Sequence, residues 1–223
     1  RTAVLKLSQQ KARLVGDEMG LGKTLTAIEL DKQNRQEAVI KQGLKTLIVA
    51  PLSVLSSWEE HLATQTDLKV WVIDPKNRQA FIEQVLNYNN TGYFICHWDV
   101  PRLMPELQKV AWFHIIADEV HRAKNRKSLQ TRSLKKIRTV YKTGLSGTPA
   151  ANKPQDLWSI LHWLWPSYYT SYWRFVNHYT ITDYDPRGYH KIVGVKNEAS
   201  LHEEMSPWYI RRLKEEVLPD LPP

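Results

Sequence analysis

The chain has 223 residues, 42% of them hydrophobic and 24% charged, with a formal net charge of +8. At roughly 100–200 residues per domain this is one large domain, or a domain with a subdomain, of ordinary globular composition. A single cysteine, Cys96, excludes an internal disulfide framework and a cysteine-cluster zinc site. No run approaches the roughly 18 apolar residues of a membrane helix, and the start (RTAVLKLSQQ) lacks the shape of a signal peptide. The expectation is a reducing compartment: cytoplasmic in a bacterium or phage, nuclear in a eukaryote, and not secreted. The basic excess is local. Residues 122–142 carry nine Lys/Arg and no Asp or Glu, leaving 22 of the 31 basic residues against 23 acidic ones elsewhere.

In chain order, residues 1–150 alternate short apolar runs with longer mixed segments. Residues 14–15, 46–50 (TLIVA), 70–73 (VWVI), 93–96 (YFIC), 112–117 (WFHIIA) and 140–145 read as strands. Several are β-branched and aromatic without clean alternation, the pattern of strands buried on both faces. Residues 23–40, 53–64, 77–87 and 128–137 read as helices. Strands alternating with helices predict a parallel α/β sheet, with ligands at the carboxyl ends of its strands. Beyond Pro154, Trp158, Trp163, Trp165 and Trp173 are interleaved with Tyr168, Tyr169 and Tyr172. A polar, turn-rich stretch (182–197), helices over 199–205 and 210–217, and a terminal proline cluster (LPDLPP) follow.

Chemistry concentrates first in Asp17-Glu18-Met19-Gly20-Leu21-Gly22-Lys23-Thr24, after the first apolar run and at the start of a helix. Gly20 and Gly22 let backbone N–H groups turn inward around phosphate oxygens, and a helix N-terminus adds partial positive charge. Lys23 is placed to reach the β/γ-phosphates and Thr24 to ligate Mg²⁺. The strict phosphate-loop pattern wants glycine where Asp17 stands, so this segment alone is also compatible with an ordinary glycine turn. The second segment is Asp118-Glu119-Val120-His121, at the end of WFHIIA. A carboxylate at the tip of a buried strand can hold Mg²⁺ and its neighbour can deprotonate water. Alone, such a pair is more often a helix cap with a first-turn acid; with the loop, the nucleotide reading prevails.

DEMGLGKT, APLSVLSSW (50–58), DEVHRAKN (118–125) and GLSGTP (144–149) occur in the order and spacing of helicase superfamily 2. In detail the chain resembles the Swi/Snf-type DNA translocases, and NHYT (177–180) and IRRLKEEVLPDLPP (210–223) resemble the end of that family's first motor lobe. DEMGLGKT is that family's usual loop; Val120 departs from its usual alanine and faces away from the chemistry. The resemblance implies a RecA-like, P-loop NTPase lobe: a parallel sheet flanked by helices over residues 1–153, with a helical C-terminal extension over 154–223. A second motor lobe would follow Pro223. ATP and Mg²⁺ are the implied cofactors, and the backbone of duplex DNA, together with that second lobe, the implied partner.

Residue by residue, Met19, Gly20, Leu21, Gly22, Lys23, Thr24 and Leu25 would bind nucleotide, and Thr24 and Asp118 would ligate Mg²⁺. Lys23, Asp118 and Glu119 are the implied catalytic residues, Glu119 as the water-activating base. His121 would couple to Ser146 and Thr148. Pro51 to Trp58 resembles the segment lying along one DNA strand, giving Ser53, Ser56 and Trp58 as contacts, while residues 95–99 match a further DNA motif weakly. The adenine-reading Gln would precede Arg1. Arginine fingers on the second lobe are worth roughly 10³–10⁵ in rate, so residues 1–223 alone are expected to bind nucleotide weakly and hydrolyse it poorly, with little stimulation by DNA. Competing readings are a strand-separating helicase, the motor subunit of a restriction or anti-phage system, and a non-hydrolysing binding module.

Charge runs are in general solvated helix faces. Within 122–142, however, no acid compensates at helical spacing. Arg122, Lys124, Lys135, Lys136 and Arg138 are therefore read as DNA-backbone contacts, and replacing Lys135, Lys136 and Arg138 with Gln is expected to flatten the salt dependence of binding. The Trp/Tyr cluster reads as packing rather than base stacking. His202-Glu203-Glu204 reads as an exposed helix start, and Cys96 as a small buried hydrophobe.

Overall fold

The computed structural model describes residues 2–86, 90–148, 154–184 and 190–217. Asn87, Pro149, the boundary at residue 153 and the proline cluster 218–223 lie outside them. Helix α1 (Thr2–Leu7) leads into β1 (Ala12–Val15), α2 (Lys23–Glu37), β2 (Lys45–Ala50), α3 (Leu55–Gln65) and β3 (Lys69–Ile73). Then come α4 (Arg78–Leu86), β4 (Gly92–His97), α5 (Val100–Leu103), β5 (Trp112–Asp118), α6 (Leu129–Lys136) and β6 (Thr139–Leu145). Downstream lie α7 (Pro154–Leu164), α8 (Tyr172–Tyr179), β7 (Thr180–Tyr184), β8 (His190–Val195), α9 (Glu198–Met205), β9 (Tyr209–Ile210) and α10 (Lys214–Val217). Among the described residues, seven strands form one parallel sheet in the order β3–β4–β2–β5–β6–β1–β9, and β7 and β8 form a separate antiparallel pair.

The unalternating apolar runs are explained by burial on both faces of this sheet. Leu47, Val49, Phe94, Cys96, Ile115 and Ala117 point into one core, and their neighbours Ile48, Ala50, Tyr93, Ile95 and Ile116 into the other. Helices α1, α2 and α3 cover the second core; α4, α6 and α7 cover the first. Cys96 is fully buried, and its thiol is pushed far up by that burial. Among the described residues no helix is long and apolar enough to cross a membrane.

One polar network lies inside this packing and sets the seat of α2. Asp31 on α2 is fully buried; its carboxylate accepts from His114 Nδ1 (2.8 Å), Thr46 Oγ1 (2.7 Å) and Arg35 Nε (2.6 Å). Arg13 Nε donates to Thr143 Oγ1 (3.2 Å), whose hydroxyl lies 2.8 Å from His114 Nε2. That chain assigns the proton of a neutral His114 to Nδ1. Burial opposes ionisation of Asp31, but the His114 hydrogen bond and the Arg35 charge outweigh it and hold the carboxyl below the ordinary range.

Four expectations change. Helix α2 stops at Glu37, short of residue 40, because the Lys41 ammonium caps the carbonyls of Arg35 and Gln36. Residues 210–217 are not one helix: Tyr209–Ile210 adds a strand beside β1, where pairing with an open sheet edge overrides local helix propensity, and only Lys214–Val217 is helical. The extension is likewise not purely helical, since the turn-rich 182–197 contributes the β7–β8 pair. His202 is exposed as expected, but in the last turn of α9 rather than its start.

The aromatic cluster does pack, and the basic window helps to seat it. Arg126 stands 4.3 Å from the Tyr172 ring centroid, Lys135 Nζ 5.1 Å from that of Trp158, and Lys142 Nζ donates to Trp163 O (2.6 Å). A cavity of about 680 Å³ lies among Tyr168, Arg174, His178 and Glu204; none of residues 17–24, 118–121 or 146–148 lines it.

Candidate functional site

Strands β1, β5 and β6 are neighbours in the sheet, and each delivers its sequence motif at the carboxyl edge. From β1 the chain turns through residues 16–22 into α2. Gly20 (φ +89°) and Gly22 (φ +72°) occupy left-handed backbone that other residues rarely adopt, and a Cβ on Gly22 would meet only open space. The first amides of α2 have no partner within the helix. Lys23 Nζ donates to the carbonyls of Asp17 (2.9 Å) and Glu18 (3.2 Å), drawing the loop around its own ammonium. Met19 and Leu25 are exposed, Leu21 and Thr24 half-buried.

From β5 comes Asp118, gripped by two tryptophans. The Trp58 indole N–H donates to Oδ2 (2.9 Å), the Trp98 indole to the Asp118 carbonyl (2.9 Å), and the Glu119 amide to Oδ1 (2.9 Å). Burial raises the Asp118 carboxyl above its ordinary value against the Trp58 hydrogen bond. Glu119 follows at φ +49°, a left-handed conformation costly for a non-glycine residue and a mark of functional sites. Its Oε2 lies 3.1 Å from His121 Nδ1, and that hydrogen bond, with the Lys23 charge among lesser causes, lowers its carboxyl. The Lys23 charge acts on Asp118 as well.

From β6 comes Ser146, fully buried, with Oγ 3.1 Å from His121 Nδ1 and accepting the Thr148 amide (3.2 Å). A chain of contacts thus runs Glu119–His121–Ser146–Thr148. Gly147 faces the loop: a Cβ there would sit 3.9 Å from Lys23 Nζ and 3.8 Å from the Asp17 carbonyl. Val120 turns away into the core, fully buried.

A nucleotide with Mg²⁺ fits this donor set. The glycine cradle leaves open space at Gly22 beside the Lys23 ammonium, and the Asp118 carboxylate stands at a strand tip within reach of the Lys23 charge, with the Thr24 hydroxyl at the start of α2. Mg²⁺ is commonly held by one or two such groups with phosphates and waters completing its shell.

Two expectations are corrected by burial. Trp58, expected along DNA, is 1% exposed and spends its indole N–H on Asp118. Lys135, expected on phosphates, turns inward to donate to Ser159 Oγ (3.1 Å); burial pushes its amine down to about 8. Ser53, Ser56, Arg122, Lys124, Lys136 and Arg138 are exposed. Trp98, inside the 95–99 segment that matched a DNA motif weakly, is 1% exposed and spends its indole on Asp118, and sequence reasoning missed Arg212, which pairs with Asp17 across 195 residues. Replacing Trp58 by Phe keeps the packing and removes the Asp118 hydrogen bond. ATP turnover, measured with the second motor lobe present, is expected to fall about 10- to 100-fold, as when outer-shell partners of metal ligands are lost; a steady-state assay on the folded variant showing no change removes Trp58 from the site.

The chain is similar to known proteins in sequence and fold. A family model described as SNF2-related domain matches residues 3–223. The chain is 33% identical to TATA-binding protein-associated factor mot1 of Schizosaccharomyces pombe, over 93% of its own length and 11% of that protein. It is 30% identical to Chromodomain-helicase-DNA-binding protein 8 of Danio rerio, over 94% of its length and 8% of that protein. Among solved structures, the Sulfolobus solfataricus SWI2/SNF2 ATPase core in complex with dsDNA superposes with a TM-score of 0.76 at 26% identity. That match covers 99% of this chain and 44% of that one. The chain therefore spans a small part of its curated relatives and under half of the solved core.

Proposed function

The chain belongs to the family of SNF2-related domains, and from that premise we propose that it is the first motor lobe of a DNA-dependent ATPase that moves along duplex DNA. The observation that carries this reading is the convergence of the 17–24 loop, Asp118-Glu119 and Ser146 at one sheet edge, with the Lys23 charge acting on both carboxyls. In this reading Lys23 and the first amides of α2 hold the triphosphate, with Met19, Leu21 and Leu25 flanking it. Thr24 and Asp118 hold Mg²⁺, which when bound neutralises charge on the phosphates. Glu119, kept ionised by His121, accepts the proton of the attacking water. His121 passes the state of Glu119 to Ser146 and Thr148, and so to the rest of the lobe.

Residues 1–153 would form the nucleotide-binding body of the lobe and 154–223 its extension and end. Exposed Ser53, Ser56, Arg122, Lys124, Lys136 and Arg138 are the DNA contacts of this proposal, acting on the phosphate backbone without reading sequence. The related Sulfolobus core was solved in complex with dsDNA, which supports the choice of partner.

The test is ATP turnover, with and without duplex DNA, of a protein carrying both motor lobes that this reading requires, together with the salt dependence of DNA binding. Turnover should rise with DNA. Lys136→Gln with Arg138→Gln should reduce the slope of log K against log salt by about 2, at roughly 0.9 per phosphate contact, and Lys135→Gln should leave it unchanged. Turnover indifferent to DNA would overturn the proposed activity, and an unchanged slope in the double variant would remove those two contacts.

A further inference from the structure

The segment following β9 runs beside the 17–24 loop. Beyond the paired residues Leu14–Tyr209 and Val15–Ile210, the ladder continues: the Gly16 amide donates to Ile210 O (2.7 Å) and the Glu18 amide to Arg212 O (3.0 Å). Side chains close it from the other direction. The Asp17 carboxylate accepts from the Arg212 amide (3.0 Å) and from Nε (3.1 Å), with Nη2 in a further contact, and Glu18 Oε2 accepts from the Lys214 amide (2.8 Å). The Tyr209 ring covers Gly16 so closely that a Cβ there would stand 2.6 Å from Cε2. Lys214 Cε lies 3.6 Å from the place a Cβ on Gly20 would take.

Asp17 and Glu18 are thereby held on two sides. Their carbonyls hold the Lys23 ammonium, and their carboxylates hold residues 212–214. Asp17 is fully buried, and a buried carboxylate stripped of its partner is strongly disfavoured. Asp17 is also the residue that stands where the strict phosphate-loop pattern has glycine, and its side chain serves this contact.

We propose that Arg212 is a positioning residue for the nucleotide loop, and that the Asp17–Arg212 latch links nucleotide binding to the placement of the chain beyond Arg212. The inference rests on the nucleotide reading of the loop given above. Two effects act in the same direction. The latch holds the backbone of residues 17–18 in place, so less order has to be imposed when phosphates arrive. The guanidinium also neutralises a carboxylate that would otherwise stand unpaired beside those phosphates. Linkage is reciprocal: nucleotide in the loop tightens residues 212–214, and loosening those residues weakens nucleotide binding.

The experiment uses the full chain and Mg·ADP carrying a fluorescent N-methylanthraniloyl group, with circular dichroism to establish that each variant is folded. Arg212→Ala should weaken binding by about 5- to 150-fold. Adding Asp17→Asn should recover most of that loss, because the orphaned charge goes with its partner; Arg212→Lys should fall between. In the unaltered protein, Mg·ADP should slow hydrogen exchange at the amides of Glu18, Arg212 and Lys214 by about fivefold or more. Lys23→Ala should abolish both binding and slowing. If the unaltered protein binds no Mg·ADP, the nucleotide reading itself fails. If it binds and Lys23→Ala does not, yet nucleotide leaves exchange at residues 212 and 214 unchanged and Arg212→Ala binds within about twofold of the unaltered chain, the latch is overturned. Should Arg212→Ala not fold, the exchange measurement on the unaltered protein decides alone.

Discussion

Glu119→Gln in the two-lobed protein proposed above is expected to lower ATP turnover about 10²- to 10⁴-fold, the usual contribution of a positioned general base, with nucleotide affinity little changed. The amide keeps the shape and the hydrogen-bonding reach of the side chain but gives up the basic oxygen. Two features single out Glu119 over its neighbour. Its Oε2 meets the His121 ring and the side chain is partly exposed, whereas both oxygens of Asp118 are engaged, by the Trp58 indole and the Glu119 amide. Its backbone is held at φ +49°, a left-handed conformation costly for a non-glycine residue that persists where the surroundings enforce it. Single-turnover hydrolysis with a parallel binding titration checks this. A variant that turns over at the normal rate would falsify the role of Glu119 as base, and a collapse of nucleotide affinity would make it a binding residue instead.

The largest effect on stability should come from Asp31→Ala. Removing one partner of a buried, hydrogen-bonded ion pair costs about 3–5 kcal/mol, a large share of the roughly 5–15 kcal/mol that holds a domain together. Arg35, Thr46 and His114 would each lose their shared acceptor inside the sheet–helix interface. For a chain of this size the melting temperature should fall by roughly 6–20 °C. The pH dependence has a definite sign. Asp31 in the folded chain is held below its ordinary carboxylate range, so its stabilisation is fully present above the unfolded value near 4 and is lost as pH falls below it. Burial lowers His114 against the attraction of Asp31, so its contribution begins to fall below about 6.5 and adds to the same acid loss. Thermal melts from pH 7 to pH 3 should show the unaltered chain losing stability faster than Asp31→Ala. Parallel pH profiles would mean that the network contributes nothing through its charge.

How far the sequence could be read depends on the range over which its signals act. The six strands predicted within residues 1–150 are all present, because a run such as TLIVA or WFHIIA declares burial on both faces without reference to anything else. The 17–24 loop and the 118–121 segment were legible for the same reason: a glycine at positive φ and a carboxylate at a strand tip are properties of a few consecutive residues. Tyr209–Ile210 failed that test. IRRLKEEV carries good helix formers, and what makes its first residue a strand is the open edge of β1, nearly 200 residues away in sequence.

The side chains follow the same division. Sequence alone pointed to a kind of chemistry, through the order and spacing of four motifs that together resemble one family, and it determined a parallel sheet to present them. Only the tertiary structure decided what each ambiguous side chain is for. Trp58 and Lys135 both looked like surface contacts, and both are taken up inside the fold, by Asp118 and by the Trp158–Ser159 face of α7. Arg212 and Asp17 each looked incidental until the return of the chain to β1 brought them together. The physical reason is that a polar group's role is set by the partner that meets it when water is excluded. That partner is chosen by packing across the whole molecule, whereas the periodicity and backbone freedom that mark a strand or a phosphate loop are written into neighbouring residues.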